Sequence, residues 1–339
     1  MAHAPAAHGV HLDVLGLPIA VAGDWPEVVE SVRLDLAWFE RPAGPAPPAR
    51  IRVAVEQGPP DFDRFGPLAA SFVTPRNVVY QDGGRTIVDY FGRAVSVLDR
   101  RAGTLVVRGE DEHLVHEAAY HYLVSRIGEH LDALGLPRLH ALGLATRRGA
   151  LAVMLPSGGG KSTLALRALG DDRVRLLSED APLLDRHGRL HPFPLRIGVN
   201  ATDAARLPAD QVRRIERMEF HPKLVLDIRA FADRIATEPS PLADLVLGRR
   251  SLGRDARLEP LERHEAVGTL LRECVVGVGI YQGMEFVLQR GMRDVAGKAG
   301  VAAMRSRCCA AALRGARVWR LTLGRDHERN WEALEPLLR

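Results

Sequence analysis

The stretch V153-M-L-P-S-G-G-G-K-S-T-L-A-L166 decides the fold, because it joins an apolar strand to a helix through three consecutive glycines and a lysine. Gly160-Lys161-Ser162 match the second half of the G-x-x-x-x-G-K-[ST] phosphate loop. Each residue type has a reason to be there. Glycines let the backbone curl so that successive N–H groups point at phosphate oxygens. A helix beginning near Ser162 turns its positive end toward the same anion. Lys161 neutralises the outer phosphates, and the Ser162 hydroxyl suits Mg²⁺. The expected cradle is therefore Ser157, Gly158, Gly159, Gly160, Lys161, Ser162 and Thr163. Leu155 stands where the consensus has its first glycine, and Pro156 then forces the exit from the strand.

The surroundings fit. ALAVML precedes the loop as a strand, STLALRALG follows as an amphipathic helix, and LPRLHALGLATRRG supplies an earlier strand with a turn at RRG. Lysine occurs only at Lys161, Lys223 and Lys298 in an otherwise arginine-rich chain, so its position in the loop is informative. The next apolar strand, VRLL, ends in Ser178-Glu179-Asp180. A carboxylate pair at a strand end can divide two tasks, one acid holding Mg²⁺ and the other accepting a proton from a hydroxyl. Neither an LSGGQ-like segment nor an NKxD guanine reader is present, which argues against an ABC ATPase and a GTPase.

Up to about residue 110 the chain reads as short strands broken by turns such as QDGGR and DRRAG, so an antiparallel β-rich unit is expected there. The Pro/Ala segment 41–50 divides it. Residues 111–134 change to a helical period through Leu114, Ala118, Tyr122, Ile127, Leu131 and Leu134. His116-Glu117 on this helix lacks the second histidine of H-E-x-x-H, since Tyr120 takes that place, so its histidines read as packing or solvated. Helices are also expected at 202–217, 262–273 and around 293–314.

The bulk properties are those of a globular α/β protein: 339 residues, 46% hydrophobic and 26% charged. The net charge of +4 is spread along the chain without a basic block, which disfavours nucleic acid as a partner. Cys274, Cys308 and Cys309 make neither a disulfide framework nor a zinc pattern and suit a reducing cytoplasm. No secretory signal is legible, and the apolar run 274–288 is interrupted by Gln282 and Glu285, so no membrane span is expected.

His140 … Leu155-Pro-Ser-Gly-Gly-Gly-Lys-Ser-Thr … Leu-Ser-Glu-Asp resembles the core of the HPr kinase/phosphorylase family, a group whose P-loop is shared with phosphoenolpyruvate carboxykinases. His140 lies 21 residues before Lys161, and Glu179-Asp180 stand in the place of the family's acid pair. The match SEDAPLLDRHGRLHPFPLRIGV is similar to a divergent branch with a β-rich N-terminal region, some members of which phosphorylate the precursors of lasso peptides. The resemblance covers roughly 138–200.

It implies a β-rich N-terminal domain over 1–135 and an HPr kinase-like catalytic domain over 136–339. It further implies ATP and Mg²⁺, with Ser162 and Asp180 on the metal, and transfer of the γ-phosphoryl group to a hydroxyl of a protein or peptide. Glu179 would take the acceptor proton, although the one-residue offset leaves Asp180 open for that role, and His140 would tune the transfer. Where the family has E-x-R-G this chain has Pro194-Leu195-Arg196-Ile197-Gly198, without the acid, so a kinase without phosphorylase activity is expected. Arg249 and Arg250 are candidates for a charge clamp on the transferring group. A small-molecule alcohol kinase and a nucleotide-binding regulator without turnover are the alternatives. Family relatives form hexamers, so a homo-oligomer is also an expectation.

Overall fold

The computed structural model describes residues 8–42, 47–156, 158–205, 207–208, 211–215, 222–277 and 292–339. The fold is mixed α/β, and the chain divides into two compact units.

Among the described residues the first unit holds 8–130 with 213–215 and 222–224. It begins with a hairpin of β1 (His8–Val14) and β2 (Leu17–Gly23), followed by helix α1 (Pro26–Asp35). Then come β3 (Ile51–Gln57), β4 (Phe72–Val73), β5 (Val78–Asp82), β6 (Arg85–Asp89), β7 (Ala94–Asp99) and β8 (Thr104–Gly109). The sheet order is β1-β2-β3-β8-β7-β6-β5-β4. An all-antiparallel sheet is not what forms: β2 pairs parallel with β3, and β3 parallel with β8. The reason is α1, whose buried Val28, Val29 and Val32 form one apolar stripe, so that the chain crosses over between β2 and β3 instead of turning back.

The second helix, α2 (Glu112–Ala133), buries Leu114, Ala118, Tyr122, Ile127 and Leu131 as the helical period predicts, while Leu134 beyond its end is exposed. His116 is buried with its Nε2 2.9 Å from the buried Asp35 carboxylate, as a packing histidine is.

The second unit holds 131–212, 225–277 and 292–339 among the described residues. Strands β9 (Leu142–Thr146) and β10 (Gly149–Met154) form the expected hairpin, and helix α3 (Lys161–Leu169) and β11 (Arg175–Ser178) follow. Shorter strands come next: β12 (Leu183–Leu184), β13 (Arg189–His191) and β14 (Ile197–Val199). The helix expected at 202–217 is not formed. The described residues there hold one turn, α4 (Ala201–Ala204), and strand β15 (Val212–Ile215), before β16 (Lys223–Leu226). Pro208 and the β-branched Val212 and Ile215 favour extended chain over a continuous helix.

The central strand is β17 (Ser240–Arg250), with β18 (Arg257–Leu261) after it. Helical turns over 263–277, including α5 (Val267–Leu270) and a wide π-type turn at Leu271–Gly277, match the expected helix at 262–273. The long helix α6 (Met292–Gly315) then leads to β19 (Arg317–Leu323) and α7 (His327–Glu332).

In the sheet β11-β9-β10-β17-β13-β12, β19 also pairs with β17 and β18 with β19. Strands β10, β17 and β19 are mutually parallel, Met154 lying opposite Leu247 and Leu323 opposite Arg250. Three carboxyl ends therefore open on one edge of the sheet, where α/β proteins place ligands. Leu139, Ala152, Leu177, Leu245, Cys308, Cys309 and Val318 belong to the core behind that edge. Both Cys308 and Cys309 are buried there, as expected of core residues. No helix of the described residues is long and apolar enough to cross a membrane. Most of the run 274–288 lies outside the described residues.

Candidate active site

The chain leaves β10 through Leu155 and Pro156 and reaches α3 by way of Gly158, Gly159 and Gly160; Ser157 lies outside the described residues. Gly160 is the N-cap of α3 and has φ +112°, a left-handed conformation that side-chain-bearing residues rarely adopt. A Cβ at Gly159 would stand 2.7 Å from the Pro156 carbonyl oxygen, so the loop is too tight for any other residue there. Helix α3 buries Leu164, Ala165, Ala168 and Leu169 along one stripe, which fixes its first turn against the sheet edge.

Five of the expected residues meet at this turn. The Lys161 side chain is 6% exposed; its ammonium donates to the Leu155 carbonyl oxygen at 2.8 Å and lies 2.7 Å from His140 Nε2. Asp180 Oδ1 lies 3.4 Å from it and 3.1 Å from His140 Nε2. The Leu155 carbonyl and the Asp180 carboxylate are what make this buried ammonium tolerable.

The Ser162 hydroxyl donates to Glu179 Oε1 at 2.5 Å. The acid next to Ser162 is therefore Glu179, and Asp180 faces the histidine and the lysine. The split follows from the strand end. Glu179 is buried and turned under the helix, whereas the Asp180 side chain, 46% exposed, opens to solvent.

Glu273 joins the site from the π-type turn. Its side chain takes His140 Nδ1 at 2.6 Å, and its backbone carbonyl accepts the His140 N–H at 3.0 Å. Burial by itself would lower the His140 pKa. Asp180 raises it, Lys161 lowers it, and Glu273 raises it again, leaving it above the ordinary 6.5. Burial would raise the Glu273 pKa, but Arg272 and His140 outweigh that and hold it below its ordinary 4.5. Glu273 lies 133 residues from His140 in a mainly apolar run, where no residue spacing links the two.

The linkage has a definite sign. The stabilisation at His140 is complete below pH 6.5 and fades as pH rises through its raised value. That at Glu273 is complete above pH 4.5 and fades as pH falls through its lowered value. The pair is thus strongest between these limits. Glu273→Gln should cost roughly 1–3 kcal/mol at pH 5.5 and distinctly less at pH 8.5, as read by chemical denaturation. An equal loss at both pH values would mean that the contact carries no charge.

Arg250 also comes to the loop. A Cβ on Gly160 would lie 3.7 Å from its guanidinium. Arg249 points elsewhere, donating to Thr322 Oγ1 at 3.0 Å. Of the expected pair, only Arg250 faces the loop. The side chain of Lys223 is outside the described residues. Among the described residues no group of three or more His, Cys, Asp or Glu is arranged to hold a metal ion. No family model matches the chain, and no curated protein matches its sequence.

Proposed function

We propose that this protein is an ATP-dependent kinase of the HPr kinase type, transferring the γ-phosphoryl group to a hydroxyl of a peptide or protein. One observation carries the reading. The glycine turn, the buried lysine, the Ser162–Glu179 contact and the Asp180–His140 contact converge at the carboxyl ends of parallel strands. A glycine turn alone needs none of these partners.

In this reading the backbone N–H groups from Gly158 to Thr163 hold the phosphates, with Lys161 and Arg250 neutralising their charge. Ser162 and Glu179 offer two hard oxygen donors that fit Mg²⁺, which takes one or two protein ligands and completes its shell with water and phosphate. When bound, the ion would neutralise charge between the β- and γ-phosphates. Asp180, more exposed and backed by His140, is placed to accept the proton as the acceptor oxygen attacks phosphorus. The bond from the γ-phosphorus to the bridging oxygen breaks, and ADP and a phosphomonoester leave. The geometry thus favours Asp180 as the base and Glu179 with the metal, the reverse of the assignment that the resemblance implies.

The test is γ-labelled ATP with Mg²⁺ and a lysate separated into protein, peptide and metabolite fractions. Label in protein or peptide supports the proposal. Label confined to metabolites moves the acceptor to small alcohols, and nucleotide binding without transfer supports a regulator. Two variants separate the acids. Asp180→Asn should lower kcat by about 10²–10⁴-fold at unchanged Mg²⁺ dependence. Glu179→Gln should raise the Mg²⁺ concentration needed for half-maximal rate. The opposite pattern would restore Glu179 as the base.

A further inference from the structure

The edge of the sheet that carries the glycine turn continues into a rim of different character. The connection from β17 to β18 is clamped to the end of β19 by the backbone. Ser251 N–H donates to Leu323 O at 2.8 Å, Arg325 N–H to Gly253 O at 2.9 Å and Asp326 N–H to Arg254 O at 3.2 Å. The fit is close, since a Cβ on Gly324 would fall 2.1 Å from the Arg254 carbonyl oxygen. The buried Asn330 holds Gly324 from behind by two further hydrogen bonds. This tip is fixed in place, yet it presents Leu252 to water at 91% exposure, more than any other large hydrophobic residue described.

Charge around the tip is one-sided. Arg254 is matched by Asp326, and Arg329 by Asp255. Arg249, Arg250 and Arg325 are exposed and have no carboxylate partner among the described residues. Arg250 faces the glycine turn, Arg249 lies over Thr322 of the neighbouring strand, and Arg325 is held beside Gly253 at the tip. A lone exposed leucine needs no explanation. A rigidly held one beside unneutralised arginines, on the rim of a phosphate-type turn, suits a specific ligand.

We infer that this rim docks the acceptor as an acidic peptide segment. Carboxylates flanking its hydroxyl residue would meet Arg249 and Arg325, and an apolar side chain would lie against Leu252. The identity of the acceptor rests on the kinase reading, whereas docking on the rim does not. Open geometry favours a peptide over a small alcohol, which needs a concave site that covers most of its surface. The charges meet in water, so they set register and encounter rate, and binding should weaken with salt.

The experiment is fluorescence anisotropy on the full chain with ADP and Mg²⁺. The probes are a labelled serine peptide bearing Asp, Glu and Leu, and a control with Lys in place of the acids. Wild type should bind the acidic peptide and not the control. Arg249→Glu with Arg325→Glu should weaken the acidic peptide by about tenfold or more, gain affinity for the control, and leave ADP affinity unchanged. Leu252→Ser should weaken the acidic peptide severalfold without changing its salt dependence. Equal affinity of wild type and the charge-reversed variant for the acidic peptide, or no binding by wild type, overturns the inference. Rim-dependent binding without label transfer from ATP keeps the docking surface and rejects the kinase. Transfer to a neutral acceptor, with the acidic peptide unbound, does the reverse.

Discussion

Lys161→Met should abolish most phosphoryl transfer, by about 10²–10³-fold or more in kcat, with a smaller loss of ADP affinity. The side chain is nearly the same length, so the loss is chiefly of charge. At rest its ammonium donates to Leu155 O and lies beside Asp180 Oδ1 and His140 Nε2. On the proposed kinase reading a bound nucleotide would draw the ammonium from these neighbours to phosphate oxygens, and the lysine is worth most where negative charge accumulates in the transition state. Removing it also leaves the Leu155 carbonyl without its donor, at a cost of roughly 1–3 kcal/mol. Unfolding must therefore be measured beside the rate. A folded Lys161→Met protein with unaltered transfer would refute the kinase mechanism. Lys161→Arg should not rescue, because a planar fork cannot occupy the buried place of a compact ammonium.

What was legible in the sequence is what lies close along the chain. The β9–β10 hairpin, the glycine turn, α3 and β11 all fall within residues 142–178, and their strand, turn and helix periods are local signals. His140, Lys161, Ser162, Glu179 and Asp180 lie together at the end of this segment. The partners within that group were not legible. Which of two adjacent acids turns under α3 depends on how β11 ends, and no spacing encodes that. Glu273 reaches His140 from a distant turn, and Arg250 reaches Gly160 only because β17 lies parallel to β10. In the first unit the β-rich character was plain. The parallel pairs were not, because α1 is a short stripe of three valines set between strands. At 212–215 the pattern VRRI fits a helix face or a strand equally well, and it forms the strand β15.

Leu155, the residue that departs from the phosphate-loop consensus, has its explanation in a second glycine 93 positions later. Gly248 lies on β17 beside the exit from β10. A Cβ there would fall 2.3 Å from Leu155 Cδ2, 2.6 Å from its Cγ and 3.2 Å from the Met154 carbonyl oxygen. Leu155 is 2% exposed, so its side chain has no open space to yield into. The glycine missing from the loop is in effect replaced by a glycine on the neighbouring strand, which makes room for the leucine. Gly248→Ala should therefore destabilise by roughly 1–3 kcal/mol through overpacking. Leu155→Ala alone should cost about 2–5 kcal/mol by opening a cavity. Together they should cost clearly less than the sum, since the new methyl enters the space that the leucine leaves, with a coupling of about 1–3 kcal/mol. Urea unfolding of the four proteins measures the cycle. Strict additivity would show that the two residues do not share that space. Because the Leu155 carbonyl also accepts from Lys161, Gly248→Ala should lower nucleotide affinity as well. The double variant should recover that affinity in step with its stability, since both depend on where one backbone carbonyl sits.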